Sequence, residues 1–117
     1  GETLPNESDR YYAGQTMAHR AASSGNLKVL EELINGGCNI NKSDFYGRTP
    51  LTLACQNGKA EIVKFLVSTG IADPLAMDKN KSTPLSYACS NRHTSIVKML
   101  LKIPNININQ ANLWGKT

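Results

Sequence analysis

Residues 44–70 read DFYGRTPLTLACQNGKAEIVKFLVSTG, and this stretch decides the fold. Thr49 and Pro50 predict a helix start, with a hydroxyl for an orphan backbone N–H and a proline at the first helical position, where no N–H is needed. A helix of about two turns follows, reaching Asn57, before Gly58 breaks the chain. A second helix begins near Ala60. Its apolar residues Ile62, Val63, Leu66 and Val67 cover an arc of about 140°, one buried face. Gly70 closes it as a left-handed cap would.

The same pattern recurs outward in both directions. Thr16, Thr49, Thr83 and Thr117 are separated by 33, 34 and 34 residues. Ala21, Ala54 and Ala88 keep this register, as do Leu33, Leu66 and Leu100. So do the pairs Val29-Leu30, Ile62-Val63 and Ile96-Val97, and second helices are expected from Leu27 and Thr94 as well. Gly37 ends the helix of the first unit, and Pro104 stops that of the third. Asn- and Asp-rich stretches join the units as extended turns. A single helix pair cannot bury two faces, so such units stack side by side. The period therefore predicts an all-α solenoid.

The repeated T-P-L, the small Ala-Cys pair and the I-V-x-x-L run resemble the ankyrin repeat, whose pattern D-x-x-G-x-T-P-L-H-x-A-A is nearly reproduced from Asp44 onward. The resemblance covers residues 14–117, after a polar tail at 1–13. Three units (about 14–46, 47–80 and 81–114) are followed by Gly115-Lys116-Thr117, which opens a fourth. The first unit departs from the pattern. Met17 and Ala18 replace Pro and Leu, Arg20 stands where later units have Leu53 and Tyr87, and Glu32 where they have Phe65 and Met99. Polar residues at these places suit a water-facing N-terminal cap. No such change marks the third unit, so further repeats are expected beyond it, and an uncapped end would allow self-association. Lys81 takes the place of the turn glycine, and each of the last two turns has one extra residue, so those tips are expected to be less regular.

The resemblance implies a partner protein bound along the turn tips and the exposed side of the first helices. By position, the tips are Tyr12, Gln15, Phe45, Tyr46, Arg48, Lys79, Asn80, Ser82, Leu113, Trp114 and Lys116. The helices contribute Ser23, Ser24, Gln56, Asn57, Ser90 and Asn91. Of seven Phe, Trp and Tyr residues, four fall at these tips: Tyr12, Phe45, Tyr46 and Trp114. Rings and arginine on an exposed edge dominate binding energy in interfaces. The same rings could instead fold back to brace neighbouring turns, and the sequence leaves both readings open.

Other residues have plainer readings. His19, at the family's T-P-L-H position, is expected to tie turns together, with Thr52 and Ser86 serving in the later units; His93 is expected to be solvated. Cys55 and Cys89 share one position and are expected to be core spacers. Helices in such a stack lie about 8–10 Å apart, which disfavours a disulfide between them. Cys38, at a turn, is expected to be more exposed. Lys28, Lys64, Lys98 and Lys102 place a basic stripe on the second helices, read as a solvated face. Asn41 and Asn109 resemble the asparagines that hydroxylases modify in ankyrin proteins, a match that follows from the repeat itself.

Composition narrows the function classes. Hydrophobic residues make up 40% and charged residues 19% of 117 residues, as in an ordinary globular domain. No apolar run is long enough to cross a bilayer, and the polar start, with Pro5 and several acids, is unlike a secretory signal. Three cysteines without a C-x-x-C pair give neither a disulfide framework nor a zinc site, and suit a reduced compartment, cytoplasmic or nuclear. The net charge of +4 is scattered, without the basic tract that nucleic-acid binding would favour. No nucleophile–base set, phosphate loop or paired acid is present in the sequence, so neither an enzyme, nor a cofactor, nor a small-molecule substrate is expected. Two alternatives to a free-standing interaction module stay open: a regulatory segment of a larger enzyme, and a nucleic-acid-associated regulator.

Overall fold

The computed structural model describes residues 14–106. Tyr12, Leu113, Trp114, Lys116, Asn109, the tail at 1–13 and the start of a fourth unit lie outside the described residues. Within them are six helices: α1 (Met17–Ser24), α2 (Leu27–Asn35), α3 (Pro50–Gln56), α4 (Ala60–Thr69), α5 (Pro84–Ser90) and α6 (Thr94–Leu101). There is no strand among the described residues. The fold is the all-α stack that the period predicts.

Each first helix starts in the same way. Thr16, Thr49 and Thr83 are extended N-caps whose hydroxyls accept the amides of His19, Thr52 and Ser86. The reciprocal bond closes the box: the Thr16 amide donates to His19 Nδ1 at 3.1 Å, that of Thr49 to Thr52 Oγ1 at 3.2 Å, and that of Thr83 to Ser86 Oγ at 2.8 Å. Two orphan donors are thereby satisfied at every start. His19 does more. Its Nδ1 faces an N–H and so must be the acceptor, which leaves Nε2 to donate to the Arg48 carbonyl at 2.8 Å, in the next unit. Thr52 and Ser86 keep the local bond, but their side chains are too short to make the second one.

Helices α1, α3 and α5 stack as an inner layer, and α2, α4 and α6 form the outer one. Ala22, Ala54 and Ala88 are fully buried between neighbouring first helices, where a larger side chain would hold them apart. Leu30, Leu51, Ile62, Leu66, Leu85, Ile96 and Leu100 fill the space between the layers. Each is under 2% exposed, so each contributes about 1.5–3 kcal/mol of apolar burial.

Three expectations need correction. Cys55 is buried, but Cys89 is exposed. Helix α5 lies over the first, whereas among the described residues no helix covers the second. Cys38 is only half-buried, so Cys89 is the more open thiol. His93 is not solvated. It packs over Gly58, where an added Cβ would meet its ring at 2.7 Å, and its Nε2 lies 3.0 Å from the Gln56 carbonyl. Finally, the turn with Lys81 is as regular as the one with Gly47. Asp78 N to Ser82 O and Asp44 N to Arg48 O are both 2.9 Å. The difference appears instead in Lys81 itself, held at φ 65, a left-handed value that favours glycine.

Gly47 has φ 82, and an added Cβ would lie 2.9 Å from Lys79 N and 3.0 Å from Asp78 Cα. The two tips are therefore in backbone contact. Gly47→Ala is expected to cost about 2–3 kcal/mol, from left-handed strain plus this overlap. Gly37→Ala, at φ 91 with nothing within 4 Å, should cost about 1 kcal/mol from strain alone. Urea titrations of the two variants compare these losses, and equal losses would mean that the tips are not in contact.

Candidate functional site

The tips are built around two buried aspartates. Asp44 is 6% exposed; its Oδ1 accepts the Tyr46 and Arg48 amides at 2.9 and 2.8 Å. Its Oδ2 accepts Gln15 Nε2 at 3.2 Å and Arg48 Nε at 3.0 Å. Asp78 repeats the scheme: Oδ1 accepts the Asn80 and Ser82 amides, both at 2.8 Å, and Oδ2 accepts the Tyr87 hydroxyl at 2.5 Å. Such Asx-type bonds fix a turn without help from regular secondary structure. The tips are then joined to each other, because the Lys79 amide donates to the Tyr46 carbonyl at 2.9 Å.

This frame holds Phe45 and Tyr46 outward, at 59% and 58% exposure. Of the two sequence readings of the rings, bracing is seen for Phe45 in part. Phe45 covers Gly14, where an added Cβ would overlap the ring, yet most of its surface remains open. Tyr46 has the Arg48 guanidinium 5.0 Å from its ring centroid, within cation–π range.

The remaining candidates separate into open and engaged residues. Lys79, Asn80, Ser90, Asn57 and Asn91 are exposed, while Gln56 is half-buried. Asn57 Nδ2 donates to Ser23 Oγ at 3.0 Å, joining the inner faces of α1 and α3, and Asn91 Nδ2 donates to the Tyr87 carbonyl at 2.9 Å. Gln15 is held by Asp44. Ser24 is exposed, with its hydroxyl on the Arg20 carbonyl at 2.9 Å. Gln15, Arg20, Ser23 and Ser24 line an open groove of about 390 Å³. Ser82 is a correction: at 1% exposure it offers nothing to a partner, because its amide is drawn in to Asp78. Sequence reasoning missed Leu75 and Met77, which are 39% and 49% exposed on the loop before Asp78. Apolar residues in a turn segment were the available signal.

Two groups make the frame sensitive to pH. For His19, burial lowers the pKa below 6.5 and outweighs the Arg48 carbonyl, which raises it. For Asp44, burial would raise the pKa, but the Arg48 amide, the Gln15 amide group and the Arg48 charge together leave it below 3.8. A histidine whose folded pKa is depressed binds its proton more readily when unfolded. Its contribution is therefore complete above pH 6.5 and is lost as pH falls through the folded value. The same sign holds for Asp44, with its window below 3.8. The urea midpoint is expected to fall as pH is lowered from 7 to 5.5, and His19→Gln should flatten that slope. A midpoint constant over this range would contradict the role given to His19.

With the geometry in place, comparison with known proteins is direct. A family model described as ankyrin repeats, in three copies, matches residues 18–112. The chain belongs to the ankyrin-repeat family. Mouse protein phosphatase 1 regulatory subunit 27 is 36% identical over 66 residues, which is 56% of this chain and 43% of that protein. Alpha-latrotoxin-Lg1a of Latrodectus geometricus is 35% identical over 106 residues, 89% of this chain but 8% of the toxin. Chicken NF-kappa-B inhibitor alpha is 38% identical over 52 residues, 44% of this chain and 16% of the inhibitor. This ankyrin chain thus spans less than half the length of each of these relatives. Among the described residues, no helix is long and apolar enough to cross a membrane, and no group of three His, Cys, Asp or Glu residues could hold a metal.

Proposed function

We propose that this ankyrin chain is a non-catalytic interaction module that binds a partner protein through its turn tips and the exposed side of α1, α3 and α5. The observation that supports this best is the pair Phe45 and Tyr46, both more than half exposed on a turn held by Asp44 and locked to the next tip. Exposed rings on a fixed backbone bind without first being ordered, so little entropy is lost on association. Two relatives carry names of proteins that act on other proteins, a phosphatase regulatory subunit and an NF-kappa-B inhibitor, which agrees with this reading.

The test is a pull-down from cell lysate with the parent chain and with a Phe45→Ala/Tyr46→Ala variant of matched stability. A partner kept by the parent and lost by the variant is the expected result. Equal retention by both would move the binding surface to another face.

A further inference from the structure

The tip edge carries an excess of positive charge. Across residues 42–48 and 75–82 the charged side chains are Lys42, Asp44, Arg48, Asp78, Lys79 and Lys81. Both aspartates are buried and turned inward onto their own turns, and Arg48 is paired with Asp44. The three lysines are exposed. Asp73, an exposed acid earlier in the loop, accepts the Leu75 amide at 2.9 Å. Asp73 keeps its charge, and its amide donates to Asn41 Oδ1 beside Lys42, so the positive excess that the edge shows to solvent rests on Lys79 and Lys81.

Apolar surface is gathered there as well. Of the seven large hydrophobic residues exposed among the described residues, four (Phe45, Tyr46, Leu75 and Met77) lie in these two turn segments, and Ile71 precedes the second. Lys81 has a backbone conformation that is uncommon for a residue with a side chain. It occupies the place of Gly47 in the preceding tip, at φ 65 against 82, a conformation that costs a residue with a Cβ but not a glycine. Arg92, at φ 60, takes the same conformation where Gly25 and Gly58 stand in the earlier units, so what singles out Lys81 is its exposed side chain beside Lys79.

We propose that the occupant of this edge is an acidic segment of a partner protein that also bears apolar side chains, seated on Phe45 and Tyr46 with its carboxylates toward Lys79 and Lys81. This rests on the tip reading above and specifies its partner. A single-stranded nucleic acid fits less well. Lys79 and Lys81 sit together on one turn rather than tracking a phosphate backbone, and Leu75 and Met77 offer no plane for base stacking.

The experiment is selection of random twelve-residue peptides displayed on phage against the full chain. The selected peptides are then titrated by fluorescence anisotropy against the parent and variant chains. The expected pool is rich in Asp and Glu together with Phe, Leu or Trp. Affinity should fall at least tenfold for Lys79→Glu/Lys81→Glu and weaken with added salt, since exposed charge pairs are screened. Lys81→Gly should also lose affinity while unfolding at a higher urea concentration than the parent, which separates binding from folding. A neutral or basic pool, or peptides that bind Lys79→Glu/Lys81→Glu as tightly as the parent, would overturn the proposal, even if Phe45→Ala/Tyr46→Ala abolished binding and so upheld the tip surface. Peptides indifferent to the Phe45→Ala/Tyr46→Ala change, or no enrichment at all, would reject both. A thymidine oligonucleotide that binds tighter than the selected peptides, with the same lysine dependence, would assign the edge to nucleic acid instead.

Discussion

Replacing Phe45 and Tyr46 together by alanine is expected to weaken partner binding by about 100-fold or more, while stability changes by no more than about 1 kcal/mol. The two halves of this expectation have different origins. Central aromatic anchors lose about 2 kcal/mol or more each when truncated, and 1.4 kcal/mol is a tenfold change in affinity. The fold, in contrast, uses little of either ring. Tyr46 contributes its backbone carbonyl to Lys79, which alanine keeps, and Phe45 contributes the part of its ring that covers Gly14. Isothermal titration with the identified partner measures the first half, and urea denaturation the second. A loss of binding matched by an equal loss of stability would show that the rings serve the fold.

Leu66→Ala is expected to destabilise the chain by about 2–5 kcal/mol, the range for emptying a closed leucine site. Leu66 is fully buried on α4, in the middle described unit, and α3 and α6 pack against that helix. Domains of this size are stable by about 5–15 kcal/mol in total, so the variant would lose a large share of its folded population at moderate urea. Leu101→Ala is the control. That side chain is 42% exposed on α6, and its loss should cost under about 1 kcal/mol. Losses of equal size at the two positions would contradict the described packing.

The helices were legible in the sequence because each is bounded by local chemistry and sided by periodic apolar residues. Thr49-Pro50 starts α3, Gly70 ends α4, and Ile62, Val63 and Leu66 mark the face that is buried. The tips were legible only in outline. Position within the repeat places Phe45, Tyr46 and Lys79 at the edge, but it cannot show that Ser82 turns inward, since this depends on the Asp78 carboxylate gathering two amides. Nor could it separate Cys55 from Cys89, which share a position and differ only in whether a helix lies over them. His93 was misread for a similar reason. Its partner is the Gln56 carbonyl in the preceding unit, far away in sequence. Contacts made within a turn could be read from the residues, whereas contacts between units required the stack.

The central claim, that the partner sits on the tips, is tested most directly by photocrosslinking. A benzophenone side chain is placed at Tyr46 in one copy of the chain and at Lys98, on the outer face of α6, in another. Irradiation in cells should join one specific protein to the chain labelled at position 46 and none to that labelled at 98. A specific adduct from position 98 with none from 46 would place the partner on the outer helices and contradict the account.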